Sequence, residues 1–220
     1  MRWTLPNILT IGRLIAAPGI AIIFLYFNRP FADWFALILF GSVALTDWID
    51  GRLARAWGME TRFGAAMDPI ADKAMVLVAL LVIAGYSAMS PWIVMPATLI
   101  VFREVFVSGL REYVGPGAKL AVTNLAKYKT TAQMLAIAVL FSQGIFLHHL
   151  IDRTVGMSPE LVESILAGTA PDEVGLRAFE AGHLWSGRIG VALLWIAAIL
   201  TLVTGWDYFR KSLPALREPE

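Results

Sequence analysis

Apolar residues fall along this chain in six blocks, near residues 8–27, 33–54, 65–86, 92–113, 124–148 and 186–208. A bilayer's hydrocarbon core of about 30 Å is crossed by about 20 helical residues, so each block is long enough to span it. Short breaks rich in Gly, Pro or polar residues, at 28–30, 85–91 and 115–117, separate the first five blocks. The pattern predicts an all-α fold, a polytopic membrane bundle of six transmembrane helices forming one domain over residues 1–220. Thr4 and Pro6 suit a helix start, as cap and first-turn residue. No short apolar run with a cleavage site leads into a soluble domain, so the first block is expected to be retained.

One long connection remains, from about residue 149 to 185, carrying Asp152, Glu160, Glu163, Asp172, Glu173 and Glu180. It is expected to be a solvated outer loop, with helical apolar spacing at 160–167 and 173–181 allowing one or two short amphipathic helices. Trp3, Trp34, Trp92, Trp185 and Trp206 lie near the span ends, where amphipathic rings favour the headgroup level. With both termini on one side, only Arg29, Arg153, Arg177 and Arg188 of the 18 lysines and arginines fall on the other. By the positive-inside tendency the termini are cytoplasmic.

Composition agrees with a membrane protein: 58% of the 220 residues are hydrophobic. A net charge of +1 gives no polybasic field, so nucleic acid is not an expected partner. The absence of cysteine excludes disulfides, thiolate nucleophiles and thiolate metal sites. Any metal must therefore be held by carboxylate oxygen.

Four carboxylates supply that oxygen. Asp47 and Asp50 differ by about 60° around a helix, and Asp68 and Asp72 by about 40°, so each pair shares a face. Charges at membrane depth are costly unless they pair, reach water or bind an ion, and a cluster of four calls for a compensating cation. Mg²⁺ or Mn²⁺ suits hard oxygen ligands and commonly bridges carboxylates to substrate phosphates. Gly51, Ala54 and Gly64 leave backbone open to a flat group, or serve helix packing. Arg55 is placed to clamp a phosphate or to reach the interface.

The run Asp47-x2-Asp50-Gly51-x2-Ala54-Arg55-x8-Gly64-x3-Asp68-x3-Asp72 resembles, without a departure, the signature of the CDP-alcohol phosphatidyltransferase family. The resemblance implies that Asp47, Asp50 and Asp68 hold two divalent cations on a CDP-diphosphate. It implies that Asp72 also touches metal and acts as the base, and that Gly51, Ala54 and Gly64 admit the cytidine.

Beyond this signature, residues from about 7 to 141 resemble the bacterial branch of that family whose acceptor is glycerol 3-phosphate. The similarity rests on Asn7-x2-Thr10-x2-Arg13, on Arg62-Phe63-Gly64-Ala65, on Arg103-Glu104-x3-Ser108-Gly109-Leu110-Arg111-Glu112, and on Lys127-x-Lys129-Thr130-Thr131-Ala132-Gln133. It implies transfer of a phosphatidyl group from CDP-diacylglycerol to glycerol 3-phosphate, in a homodimer of the bacterial inner membrane with its active site on the cytoplasmic side. Asn7, Thr10, Arg13 and Arg55 are then expected on the CDP-diacylglycerol side. A dianionic acceptor would be balanced by Arg103, Arg111, Lys127 and Lys129. The competing readings are a transferase of the same family with another acceptor, such as a cardiolipin or phosphatidylinositol-phosphate synthase, and a divalent-cation transporter. A transporter should place its carboxylates near the membrane midplane rather than at one end.

Overall fold

The computed structural model describes residues 4–43, 61–115 and 124–216, and every regular element among them is a helix. α1 is Leu5–Tyr26, α2 is Phe31–Val43, α3 is Arg62–Tyr86 and α4 is Pro91–Val114. α5 is Asn124–Thr154, α6 is Pro159–Leu166 and α7 is Leu176–Leu216. Among the described residues, four stretches are long and apolar enough to cross a membrane: Asn7–Tyr26, Pro91–Val114, Tyr128–Thr154 and Leu176–Pro214. α3 has the length, at 25 residues, but the half that begins it carries Arg62, Asp68, Asp72 and Lys73. The described part of the second expected span ends at Val43. Four of the six expected spans are thus met by length and composition.

Helix starts follow local chemistry. Thr61 caps α3, its hydroxyl accepting the Gly64 amide at 3.0 Å. Ser158 does the same for α6 through Leu161. Thr4 occupies the cap position of α1, with Pro in the first turn as expected, but its side chain makes no cap bond.

The loop expected over 149–185 is largely helical. α5 continues to Thr154, α6 covers most of the first amphipathic segment, and the second opens α7, a continuous helix of 41 residues. The physical reason is capping from within the connection. Asp172 accepts the amides of Leu176 at 2.8 Å and Arg177 at 3.0 Å, satisfying donors that a helix start leaves open.

α7 packs along α5 and α4, and α1 pairs with α3. Ile20, Phe40, Met75, Leu80, Ile100, Ile137 and Leu194 are fully buried where these helices meet. In lipid the hydrophobic effect does not drive helices together, so small residues that let backbones approach become decisive. A Cβ on Gly190 would lie 2.7 Å from the Leu140 side chain, and one on Gly187 2.6 Å from that of Gln143. Large apolar side chains also point outward all along the bundle, Ile15, Leu25, Leu81 and Phe102 among them. Such a surface suits hydrocarbon, not water.

At the end of the bundle where α1 stops and α2 begins, Asp33 is completely buried. Arg29 forks onto it, its Nε at 2.7 Å from Oδ2 and a terminal nitrogen on Oδ1. Gly144 of α5 leaves the room this pair occupies. The Arg29 guanidinium also lies 5.0 Å from the Tyr86 ring centroid, and the hydrogen bond to Asp33 is the largest influence raising its pKa further.

Candidate active site

At the other end of α1, three polar residues at successive three-residue intervals are buried against α3: Asn7, Thr10 and Arg13. That spacing places them on one helical face. Asn7 Oδ1 accepts the Thr61 hydroxyl at 2.7 Å, so the cap of α3 is tied to α1. The Thr10 hydroxyl donates to Asp68 Oδ1. Arg13 donates to Asp72 Oδ1 at 2.7 Å and lies 3.5 Å from Asp68 Oδ1. The expected common face of Asp68 and Asp72 is therefore present, and one guanidinium touches both.

This pair fits a cation. Among the described residues both carboxylates face the same guanidinium, and their side chains are 42% and 44% exposed, which leaves oxygens open to an ion. All donors are hard oxygens, which suits Mg²⁺ or Mn²⁺. Among the described residues no three Asp, Glu, His or Cys side chains converge as a metal site. The other expected ligands, Asp47 and Asp50, lie outside the described residues, as do Gly51, Ala54 and Arg55. Gly64 is described and buried. A Cβ there would stand 3.0 Å from Asn7 Oδ1, 3.3 Å from Thr61 Oγ1 and 3.7 Å from Asp68 Oδ2. What approaches its backbone is the polar face of α1.

The basic residues divide. Lys129 of α5 is buried and ion-paired to Glu104 Oε1. Arg103 of α4 reaches the same oxygen at 3.1 Å and the Thr204 hydroxyl of α7 at 3.2 Å, and Gly205 leaves space for its stem. Arg111, two turns further along α4, is exposed, its guanidinium 5.9 Å from the Tyr208 ring centroid. The side chain of Lys127 lies outside the described residues.

Three participants were given no site role from the sequence, although Glu104 and Ser108 lie in a stretch that carries the resemblance. Glu104 gathers Arg103 and Lys129, joining α4 to α5. Lys73, next to Asp72, donates to the Ser108 hydroxyl, and Ser108 donates to the Glu104 carbonyl at 2.6 Å. A polar stripe thus runs from the carboxylates of α3 into the basic cluster. The available signal was a carboxylate in an apolar helix, which must find a cation.

The family model described as CDP-alcohol phosphatidyltransferase matches residues 3–203. A protein of Cereibacter sphaeroides named CDP-diacylglycerol–glycerol-3-phosphate 3-phosphatidyltransferase is 56% identical, over 99% of either chain. Proteins of the same name from Salmonella typhimurium, 39% identical over 94% of either chain, and Pectobacterium atrosepticum, 35% identical over the whole of both, are also similar. With the family model covering most of its length, the chain belongs to the CDP-alcohol phosphatidyltransferase family.

Proposed function

We propose that this protein transfers the phosphatidyl group of CDP-diacylglycerol to glycerol 3-phosphate, giving phosphatidylglycerophosphate and CMP. The observation that carries the reading is the Thr10–Arg13–Asp68–Asp72 arrangement, in a chain whose relatives bear the name of that activity. In this reading the chain is one domain of six spans, with α3 serving as the third. It sits in the bacterial inner membrane with both termini and the carboxylates on the cytoplasmic side, and forms a homodimer.

A hydroxyl oxygen of glycerol 3-phosphate attacks the phosphorus that carries diacylglycerol. The bond from that phosphorus to the CMP oxygen breaks, and CMP leaves. Asp72 takes the hydroxyl proton, being next to the reacting oxygen rather than strongly basic. Asp47, Asp50, Asp68 and Asp72 hold two Mg²⁺ or Mn²⁺ ions, which neutralise diphosphate charge when bound. Arg13 and Thr10 fix the two α3 carboxylates, so little reorganisation is needed at the moment of reaction. Asn7 sets the α1–α3 junction, and Gly51, Ala54, Gly64 and Arg55 line the cytidine diphosphate side. Arg111, Lys127, Arg103 and Lys129 provide the basic field for the acceptor phosphate, the last two oriented by Glu104.

The test is CMP release by purified protein given CDP-diacylglycerol and, in turn, glycerol 3-phosphate, phosphatidylglycerol, inositol 1-phosphate and serine. Release with glycerol 3-phosphate alone is the expected result. Release with another acceptor instead would move the protein to a different branch of the family.

A further inference from the structure

Far from the carboxylates, a cavity of about 870 Å³ opens between the ends of α1 and α3, the start of α4, and α5 and α7. Its position follows from chain direction: Asp72 and Tyr86 are separated by 14 residues of α3, about 21 Å of helix. It is therefore no extension of the reaction site. Its walls are graded. Toward the middle of the bundle they are apolar, with Ile83, Leu140, Phe141 and Val191. Toward the helix ends they become polar, with Arg29, Ser87, Ser90 and Arg188.

Charge narrows the occupant. Arg29 is neutralised by its fork onto Asp33. Arg188 is exposed and stacks near the Trp185 ring, 5.7 Å from its centroid. No Asp or Glu lines the cavity, and no carboxylate among the described residues pairs with Arg188. One uncompensated guanidinium thus stands among the residues that line a largely apolar cleft. A molecule complementary to that gradient has a hydrocarbon tail and an anionic head, and the bilayer around the helices supplies it.

We propose that this cavity is a binding site for an anionic phospholipid, with an acyl chain between α3, α5 and α7 and the phosphate on Arg188. The lipid fills the space bounded by the ends of α1 and α3, the start of α4, and α5 and α7, and it binds independently of the transfer reaction. A neutral lipid would fill the cleft without using the charge of Arg188.

Photolabelling in nanodiscs tests this with two matched probes, phosphatidylglycerol and phosphatidylcholine, each carrying a diazirine in one acyl chain. The anionic probe is expected to label peptides from the end of α3, from residues 140–147 and from residues 187–195 about fivefold more than the zwitterionic one, as one arginine near a membrane surface would give. R188Q should remove that preference, R188K should retain most of it, and Ala192→Trp should reduce labelling by both probes by filling the cleft. Because the reaction site also takes phosphatidyl lipids, labelling is counted only on these peptides. Equal labelling by the two probes, or a preference unchanged in R188Q, would overturn the proposal. So would a cross-link between two copies across these peptides in place of lipid.

Discussion

Two arginine–aspartate clusters occupy opposite ends of the α1 region and are built on opposite terms. Arg29 and Asp33 match one to one, with a two-pronged fork and a carboxylate wholly buried. Arg13 faces two carboxylates, each more than 40% exposed, and satisfies neither alone. A closed pair has nothing left to bind and acts on the fold. An open cluster, its carboxylates part-exposed, keeps oxygens accessible to a cation, and its cost is offset by contact with water.

The largest effect that would break this contrast concerns the open cluster. Asp72→Asn keeps the shape but cannot take a proton, so kcat should fall about 10² to 10⁴-fold while the melting temperature stays near its original value. Removing divalent ions by chelation should abolish turnover reversibly. Full activity in Asp72→Asn would remove it from the role of base, and full activity after exhaustive chelation would end the metal account.

Next comes the closed pair. Arg29→Met leaves Asp33 buried without its cation, which should cost about 3 to 5 kcal/mol in thermal or denaturant unfolding. Turnover per folded molecule should be unchanged. Arg13→Met should do the reverse, lowering turnover with little change in melting, and matching profiles for the two variants would erase the distinction.

A smaller effect sharpens it among the basic residues. Arg111 is exposed, whereas Arg103 and Lys129 are committed to Glu104. Arg111→Ala should raise KM for glycerol 3-phosphate and lower kcat/KM about ten- to a hundredfold, the worth of a charged hydrogen bond of about 1.5 to 3 kcal/mol. Arg111→Lys should recover part of this, keeping charge without the planar fork. Unchanged acceptor kinetics in Arg111→Ala would put the phosphate elsewhere.

The smallest effect is at Asp172. Burial acts to raise its pKa, but hydrogen bonds from the Arg177, Leu176 and Gly175 amides outweigh that and hold the carboxyl below the ordinary range. A carboxyl depressed in the folded state adds stability above its unfolded pKa, and that stability is lost as pH falls through the folded value. Asp172→Asn should therefore flatten the acid limb of the melting curve, with hydrogen exchange at Leu176 and Arg177 faster at neutral pH. An unaltered acid limb would show that the cap contributes nothing.

Helices and breaks were legible because apolar blocks and Gly or Pro punctuation are local properties, and the shared face of Asp68 and Asp72 follows from helical pitch. The span of α7 was not legible, since acidic residues over 172–180 read as solvated connector until the Asp172 cap shows how a helix begins among them. Pairings across helices were hidden for a different reason. Lys129 with Glu104 and Lys73 with Ser108 depend on which helices are neighbours, and Arg103 and Lys129 carry the same charge whether they grip a phosphate or a glutamate. Packing adds only the glutamate that orients them.

The length of α7 has a mechanical consequence. Its 41 residues make a rod of about 62 Å at 1.5 Å per residue, roughly twice the hydrocarbon thickness. The segment capped by Asp172 and the Thr204 hydroxyl that holds Arg103 are parts of one stiff shaft. A tilt imposed at Leu176 would be carried, as on a tiller, to Thr204 and the basic cluster, 28 residues or about 42 Å along the helix.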